Sequence, residues 1–200
     1  MDGVVVDSEP LYAQAEIKLF AEYGVSIPDE DWKLFRGCTE DGFYDIALDR
    51  YGIKEDRTVL MERGRQYVQA EFAASLNYMP GFSSLIGRIH QAGLKRGLVT
   101  SSPERMYRYV DGLLSVGLHF DDVIWGGMTE NSKPHPEPYL SMMKKLDVIP
   151  DECLIIEDSL HGLNAAVASG AKVIALTGSV EIEDIPVVNQ IVENLEDVTV

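Results

Sequence analysis

Residues 153–176 carry the pattern that decides the fold: Cys153-Leu154-Ile155-Ile156 is wholly apolar, Glu157-Asp158-Ser159 follows at once, Leu160 to Ser169 keeps helical spacing up to Gly170, and Val173-Ile174-Ala175-Leu176 is apolar again. A short apolar run bounded by polar residues suits a strand buried on both faces, and a helix crossing between two such strands makes them parallel. The alternation extends outward in both directions. Upstream, an amphipathic helix through Phe82, Leu85, Ile86 and Ile89 closes at Gly93 and leads into a strand, Gly97-Leu98-Val99-Thr100. Ser102-Pro103 then reads as a helix start, with Ser at the N-cap and Pro at the first helical position. That helix presents Met106, Tyr109, Val110, Leu113 and Leu114; Val123-Ile124-Trp125 is the next strand, and Pro136 opens a helix through Tyr139, Leu140, Met143 and Leu146. Downstream, Gln190-Ile191-Val192 is a last short strand. The expected fold class is α/β, a doubly wound parallel sheet covered by helices on both faces.

Residues 11 to about 78 follow another rule. Leu11, Ala15, Leu19, Phe20 and Tyr23 recur at spacings of mostly three and four until Gly24, and similar rows follow at Trp32 to Phe35, Phe43 to Leu48 and Val59 to Phe72. Helix follows helix with no strand between. The organisation read from this is a core of residues 1–10 and 79–200, with an all-helical cap, residues 11–78, inserted near its start.

Composition narrows the function. A chain of 200 residues can bury roughly 70% of its unfolded surface and needs no staple. Lys plus Arg number 17 against 33 for Asp plus Glu, a formal charge of −16, which opposes nucleic acid and anionic membrane surfaces as partners. A phosphorylated substrate is repelled at long range too, so an anion site has to be built locally. Cys38 and Cys153 are too few for a disulfide scaffold, and His90, His119, His135 and His161 show no ligand spacing. With no signal-peptide pattern and no apolar segment of spanning length, the expectation is a soluble cytoplasmic protein, a monomer by preference.

In an open parallel sheet, ligands bind beyond the carboxyl ends of the strands. Thr100-Ser101-Ser102, Gly126-Gly127 and Glu157-Asp158-Ser159 each follow a strand, and Lys133-Pro134 lies in the loop before the last of these. Hydroxyls, a lysine and a carboxylate pair at one rim are the parts that phosphoryl transfer with a divalent cation uses. Singly, each has an ordinary reading: Asp2-Gly3 as a turn, Lys133-Pro134 as a surface loop, Thr100 to Ser102 as a helix cap.

Together, in this order, they resemble the four motifs of the haloacid dehalogenase superfamily. The first ten residues, Met1-Asp2-Gly3-Val4-Val5-Val6-Asp7-Ser8-Glu9-Pro10, are similar to that family's Asp-x-Asp-Gly-Val-x-x-Asp-Ser-Glu with the first Asp cut away. Thr100-Ser101-Ser102, Lys133-Pro134-x-Pro and Glu157-Asp158-Ser159-x-x-Gly162 supply the other three, so the resemblance spans nearly the whole chain. The helical insertion is similar to the cap of the branch that holds β-phosphoglucomutases and sugar phosphatases. The resemblance implies a Mg2+-dependent phosphatase of a small phosphorylated metabolite, working through a phospho-aspartate. Asp2 would be the acid and base; Thr100 and the Ser101 amide would hold phosphate oxygens; Lys133 would offset negative charge. Asp158 and the Asp2 carbonyl would bind Mg2+, with Glu157 supporting the metal site from close by. The nucleophile would stand just before Met1, at the end of an upstream strand in the middle of the sheet. Three explanations are open: the natural protein carries that segment, the chain is shortened, or it is a degenerate member. Asp7, placed in a small flap, is not expected to reach the phosphorus. Tyr12, Arg36, Thr39, Glu40 and Phe43 are candidate substrate-facing cap residues. Tyr12 stands where β-phosphoglucomutases carry a His and Glu40 near where they carry an Arg, which favours a phosphatase over a mutase. A phosphometabolite-binding protein without turnover is the remaining alternative.

Overall fold

The computed structural model describes residues 1–35, 40–178 and 180–199, apart from the side chain of Lys33. The chain divides into two compact units, Ser8–Leu76 and Met1–Asp7 with Asn77–Val200. In the first, α1 (Glu9–Glu22), α2 (Glu40–Asp49) and α3 (Arg57–Ser75) close around Leu19, Phe20, Phe35, Phe43, Tyr44 and Leu60. Phe20 sits edge-on to Phe35, Phe43 and Tyr51 at centroid distances of 5.5–5.8 Å, an arrangement that suits the ring quadrupoles. Trp32 and Phe35, expected on an α-helix, belong to a 3-10 turn, Asp29–Leu34, and its end. Asp56 caps α3, its carboxylate accepting from the amides of Thr58 and Val59.

The second unit runs α4 (Phe82–Gln91), β1 (Gly97–Pro103), α5 (Glu104–Leu114), β2 (Asp122–Gly126), α6 (Glu137–Leu146), β3 (Leu154–Glu157), α7 (Leu160–Ala168), β4 (Lys172–Leu176) and β5 (Gln190–Val192). All pairings between these strands are parallel. Among the described residues they form two sheets, β1 with β2 and β3-β4-β5 in that order. Helices α6 and α7 give both sheets a common buried layer, in which Tyr139, Met142 and Leu163 meet Val99, Ile124 and Val173. The buried stripe of α6 is Tyr139, Met142 and Met143; Leu140, expected on it, is exposed, because the helix starts at Glu137 and turns that position outward.

Between the edge strands β1 and β3 lies a cavity of about 680 Å³, walled by Leu98 and Val99 on one side and Leu154 to Glu157 on the other. Residues 1–7 fold into a tight turn: the Val5 and Val6 amides donate to the Met1 carbonyl, the Gly3 amide donates to Val6, and Val6 bridges to Tyr78. The strand-to-helix step after β1 differs from expectation. Ser101 to Pro103 continue the strand and the helix begins at Glu104, so Ser102 is not the N-cap. The Ser102 hydroxyl is engaged elsewhere, by Asp2.

Candidate active site

The expected residues of the core unit assemble into a closed chain of contacts joining the ends of β1 and β3. The Ser102 hydroxyl donates to Asp2 Oδ2 at 2.7 Å, and the Ser102 amide donates to Thr100 Oγ1 at 3.1 Å. Asp2 is followed by Gly3, against whose backbone the buried Asp158 carboxylate is packed; a Cβ on Gly3 would lie 1.9 Å from Asp158 Oδ2, and its φ of +69° is one that glycine adopts without strain. Glu157 precedes Asp158 and accepts from Lys133 Nζ at 2.9 Å; Lys133 Nζ in turn donates to the Val99 carbonyl of β1 at 3.2 Å. Both ends of that ion pair are buried, with side-chain exposures of 6% for Lys133 and 10% for Glu157. A pair this deep is costly to desolvate and persists only when its remaining hydrogen-bonding capacity is met.

It is met here by residues that periodicity alone does not single out. Tyr139 Oη donates to Glu157 Oε2 at 2.6 Å, and Lys133 Nζ lies 4.7 Å from the centre of the Tyr139 ring. Glu157 Oε1 accepts from the Ser159 hydroxyl at 2.8 Å and from the amides of Ser159 and Asp158. Ser159 also caps α7, its Oγ accepting from the Gly162 amide. Burial pushes Glu157 up, but the Lys133 charge and the hydrogen bonds from Lys133 and Tyr139 outweigh it and hold the carboxyl well below the usual carboxylate range. Burial first, and then the Glu157 charge, push the Tyr139 phenol well above its ordinary value, so it stays a donor. In the sequence Tyr139 reads as one more apolar position on a helix face; its place three residues after Pro136, in the helix opened by the Lys133-Pro134 loop, was the available signal. Ser102 was hidden by its resemblance to an N-cap.

Thr100 is buried and Ser101 exposed at the end of β1. Among the described residues no group of three or more His, Cys, Asp and Glu side chains is arranged to hold a metal. Beside Glu157, whose two oxygens both accept hydrogen bonds, Asp158 and Asp2 are the further carboxylates brought to this region. Such a small set fits Mg2+, which binds through one or two carboxylates and keeps waters and substrate phosphate for the rest.

The cap candidates lie in the helical unit. Tyr12 is half-buried and meets Phe72 edge-on at 5.1 Å, and Glu40 accepts from Arg65 Nε at 2.9 Å. Phe43 is a correction: it is 8% exposed and packs on Phe20 and Phe35, because α2 turns its apolar side into that unit's core. Arg36 and Thr39 lie outside the described residues.

The family model for haloacid dehalogenase-like hydrolases matches residues 1–176. The chain belongs to that family. Among curated relatives of this haloacid dehalogenase-like hydrolase, a phosphorylated carbohydrates phosphatase of Thermotoga maritima is 29% identical, over 85% of this chain and 79% of its own length. A phosphoglycolate phosphatase of Salmonella typhimurium is 35% identical, over 88% of this chain and 79% of its own. Among solved structures, a HAD hydrolase, family IA, variant 3, from Entamoeba histolytica superposes with a TM-score of 0.84 at 20% identity, covering 100% of this chain and 93% of that one. That last likeness concerns the fold.

Proposed function

We propose that this chain is the body of a Mg2+-dependent phosphatase acting on a small phosphorylated metabolite, a sugar phosphate foremost, in the cytoplasm. The observation that carries this reading is the closed chain of contacts from Ser102 through Asp2, Gly3, Asp158, Glu157 and Lys133 to Val99, which holds a candidate proton carrier, two carboxylates and a buried cation together. Relatives named as phosphatases of phosphorylated carbohydrate and of phosphoglycolate support the substrate class. In the reaction, a carboxylate standing before Met1 attacks phosphorus in line, forming an acyl phosphate while the ester oxygen leaves. Asp2 protonates that oxygen, then takes a proton from the water that cleaves the acyl phosphate. The Ser102 hydroxyl orients the Asp2 carboxylate for both steps. Thr100 Oγ1 and the Ser101 amide hold phosphate oxygens, and Lys133 balances their charge from its seat on Glu157 and Tyr139. Mg2+, held by Asp158 and the Asp2 carbonyl, would supply charge neutralisation at the transferring phosphoryl group.

The test compares this chain with one extended ahead of Met1 by an apolar strand ending in Asp, each assayed for phosphate release from sugar phosphates with Mg2+ and with EDTA. The extended chain should release phosphate in Mg2+ alone, and the form without the carboxylate should be slower by about 10⁴- to 10⁶-fold. Release that survives Asp2→Asn unchanged, or an extended chain that is folded and inert, would overturn the reading. A requirement for a bisphosphate activator would move it to a phosphomutase. Glu40 argues against that outcome, because an acidic residue already paired with Arg65 offers a second phosphate no cation.

A further inference from the structure

Glu137, the first residue of α6, turns its carboxylate away from its own helix. An acidic side chain at a helix start ordinarily serves the free amides of that helix's first turn. Glu137 instead reaches back over the loop that follows β2. Its Oε1 accepts from the Glu130 amide at 2.9 Å, and its Oε2 accepts from the Asn131 amide at 2.9 Å and from Asn131 Nδ2 at 2.8 Å. These bonds, that from the Asn131 side chain first, hold its carboxyl below the ordinary value. The Thr129 hydroxyl donates to the Asn131 carbonyl at 3.0 Å, and the His135 amide donates to the Ser132 carbonyl at 2.9 Å. Residues 130 to 132 are exposed, so polar contacts of this kind, rather than burial, fix the course of the loop.

Lys133 stands inside the loop that Glu137 closes, two residues after Asn131. Its ammonium carries three N–H groups. One donates to the Val99 carbonyl and one to Glu157, and the Tyr139 ring centre lies 4.7 Å from the nitrogen. A third N–H is left for an anion at the ends of β1 and β3. The buried pair with Glu157 fixes the tip of this side chain; the Glu137 clamp fixes the backbone from which it reaches. Where the third N–H points depends on both, and a misplacement of about 1 Å at such a site can cost ~10²-fold in rate.

We infer that Glu137 is a positioning residue: by clamping Glu130 and Asn131 it fixes the stretch of loop from which Lys133 reaches Val99, Glu157 and the phosphoryl group. Only the last of these three contacts rests on the phosphatase reading. A carboxylate is the side chain that fits this place, because both of its oxygens accept. Gln has the same length but would turn an amino group toward either Glu130 or Asn131, donor against donor.

The experiment compares the chain as it stands with Glu137→Gln, Glu137→Ala, Lys133→Met and the double variant Glu137→Ala with Lys133→Met. Proton exchange between the Lys133 ammonium and water is followed by nitrogen-15 NMR, the signal being assigned by its loss in Lys133→Met. Inorganic phosphate is then titrated into each protein with Mg2+ present. Exchange at Lys133 should be at least about tenfold faster in Glu137→Ala and intermediate in Glu137→Gln. Phosphate should bind about 10- to 100-fold more weakly to Glu137→Ala. It should bind no more weakly to the double variant than to Lys133→Met, since Glu137 acts only through Lys133. Glu137→Gln carries both measurements if Glu137→Ala does not fold. Lys133 exchange unchanged in the Glu137 variants, or phosphate bound by them as tightly as by the unsubstituted chain, would overturn the inference. Equal weakening by Glu137→Ala with and without Lys133 would do the same, because it marks a general support of the site. Faster Lys133 exchange with phosphate bound by none of the proteins would sustain the positioning role and remove the phosphatase reading instead.

Discussion

Glu157 accepts five hydrogen bonds, from Lys133, Tyr139, the Ser159 hydroxyl and the amides of Asp158 and Ser159, on a carboxylate with about four lone-pair sites. Those bonds tie the loop after β3 to Lys133 and Tyr139. Lys133→Met should leave this buried charge without its cation and cost about 3–5 kcal/mol at pH 7, read by urea unfolding. The sign of the pH effect follows from the depressed folded pKa of Glu157: its contribution is complete above the ordinary carboxylate range and is lost as pH falls through the folded value. The penalty in Lys133→Met should accordingly shrink toward pH 4, where the unpaired carboxyl takes a proton. Gly162 approaches the same group, and a Cβ there would lie 2.1 Å from the Glu157 carboxyl carbon. With that carboxylate pinned on both oxygens, Gly162→Ala should cost about 1–3 kcal/mol by overpacking, measured in the same assay. Glu16 shows the opposite linkage. Burial, and then Glu9, raise it from 4.5 to about 7, so its effect favours the folded state below about pH 4.5 and is lost as pH rises through 7. Glu16→Gln should stabilise the protein at pH 8 by on the order of 2 kcal/mol and change little at pH 5, a difference that thermal melts at the two pH values would show. At this scale Lys133, Glu157 and Asp158 stood out in the sequence through their order around the strands, and Asp2 only through the resemblance of residues 1–10 to a family motif. Tyr139 and Ser102 were not, because a hydroxyl on an apolar face and a Ser before a Pro each satisfy a simpler local rule.

The elements were legible where periodicity was long or wholly apolar. Residues 153–156 and 173–176 became β3 and β4 to within one residue at each end, because four consecutive apolar residues between turn residues admit little else. The step from β1 to α5 was misread, since Ser102-Pro103 carries the chemistry of a helix start while the pairing of Pro103 with Gly126 of β2 keeps the strand going. Tertiary pairing overrode a local cap. The start of α3 shows a cap that does hold: Asp56 accepts from two amides of the first turn. Asp56→Ala should therefore lower stability by about 1 kcal/mol, seen as a fall in the urea midpoint with unchanged slope. Ser102→Ala, in contrast, should leave α5 intact by circular dichroism.

On the scale of the whole molecule, the charge of −16 and the buried Lys133 cation act against each other on an anionic substrate. Long-range repulsion is screened at a Debye length of about 8 Å in 0.15 M salt, while a buried pair is screened far less. Phosphate release by the catalytically competent form should therefore rise in kcat/KM between about 0.01 and 0.15 M NaCl; an unchanged or falling value would show that the net charge does not govern encounter. Among the described residues no helix is long and apolar enough to cross a membrane. By itself the sequence determined the α/β class, the helical insertion, the family and the order of the strands and helices, because these follow from periodicity and order along one chain. Only the tertiary structure decided that the strands of the core unit stand in two sheets with a cavity between them, that Glu157 is engaged by its neighbours while Asp158 lies against Gly3, and that Tyr139 and Ser102 join these contacts. Those outcomes depend on which groups meet across 18 to 100 residues of chain, and hydrogen bonds between such distant partners leave no local period to read.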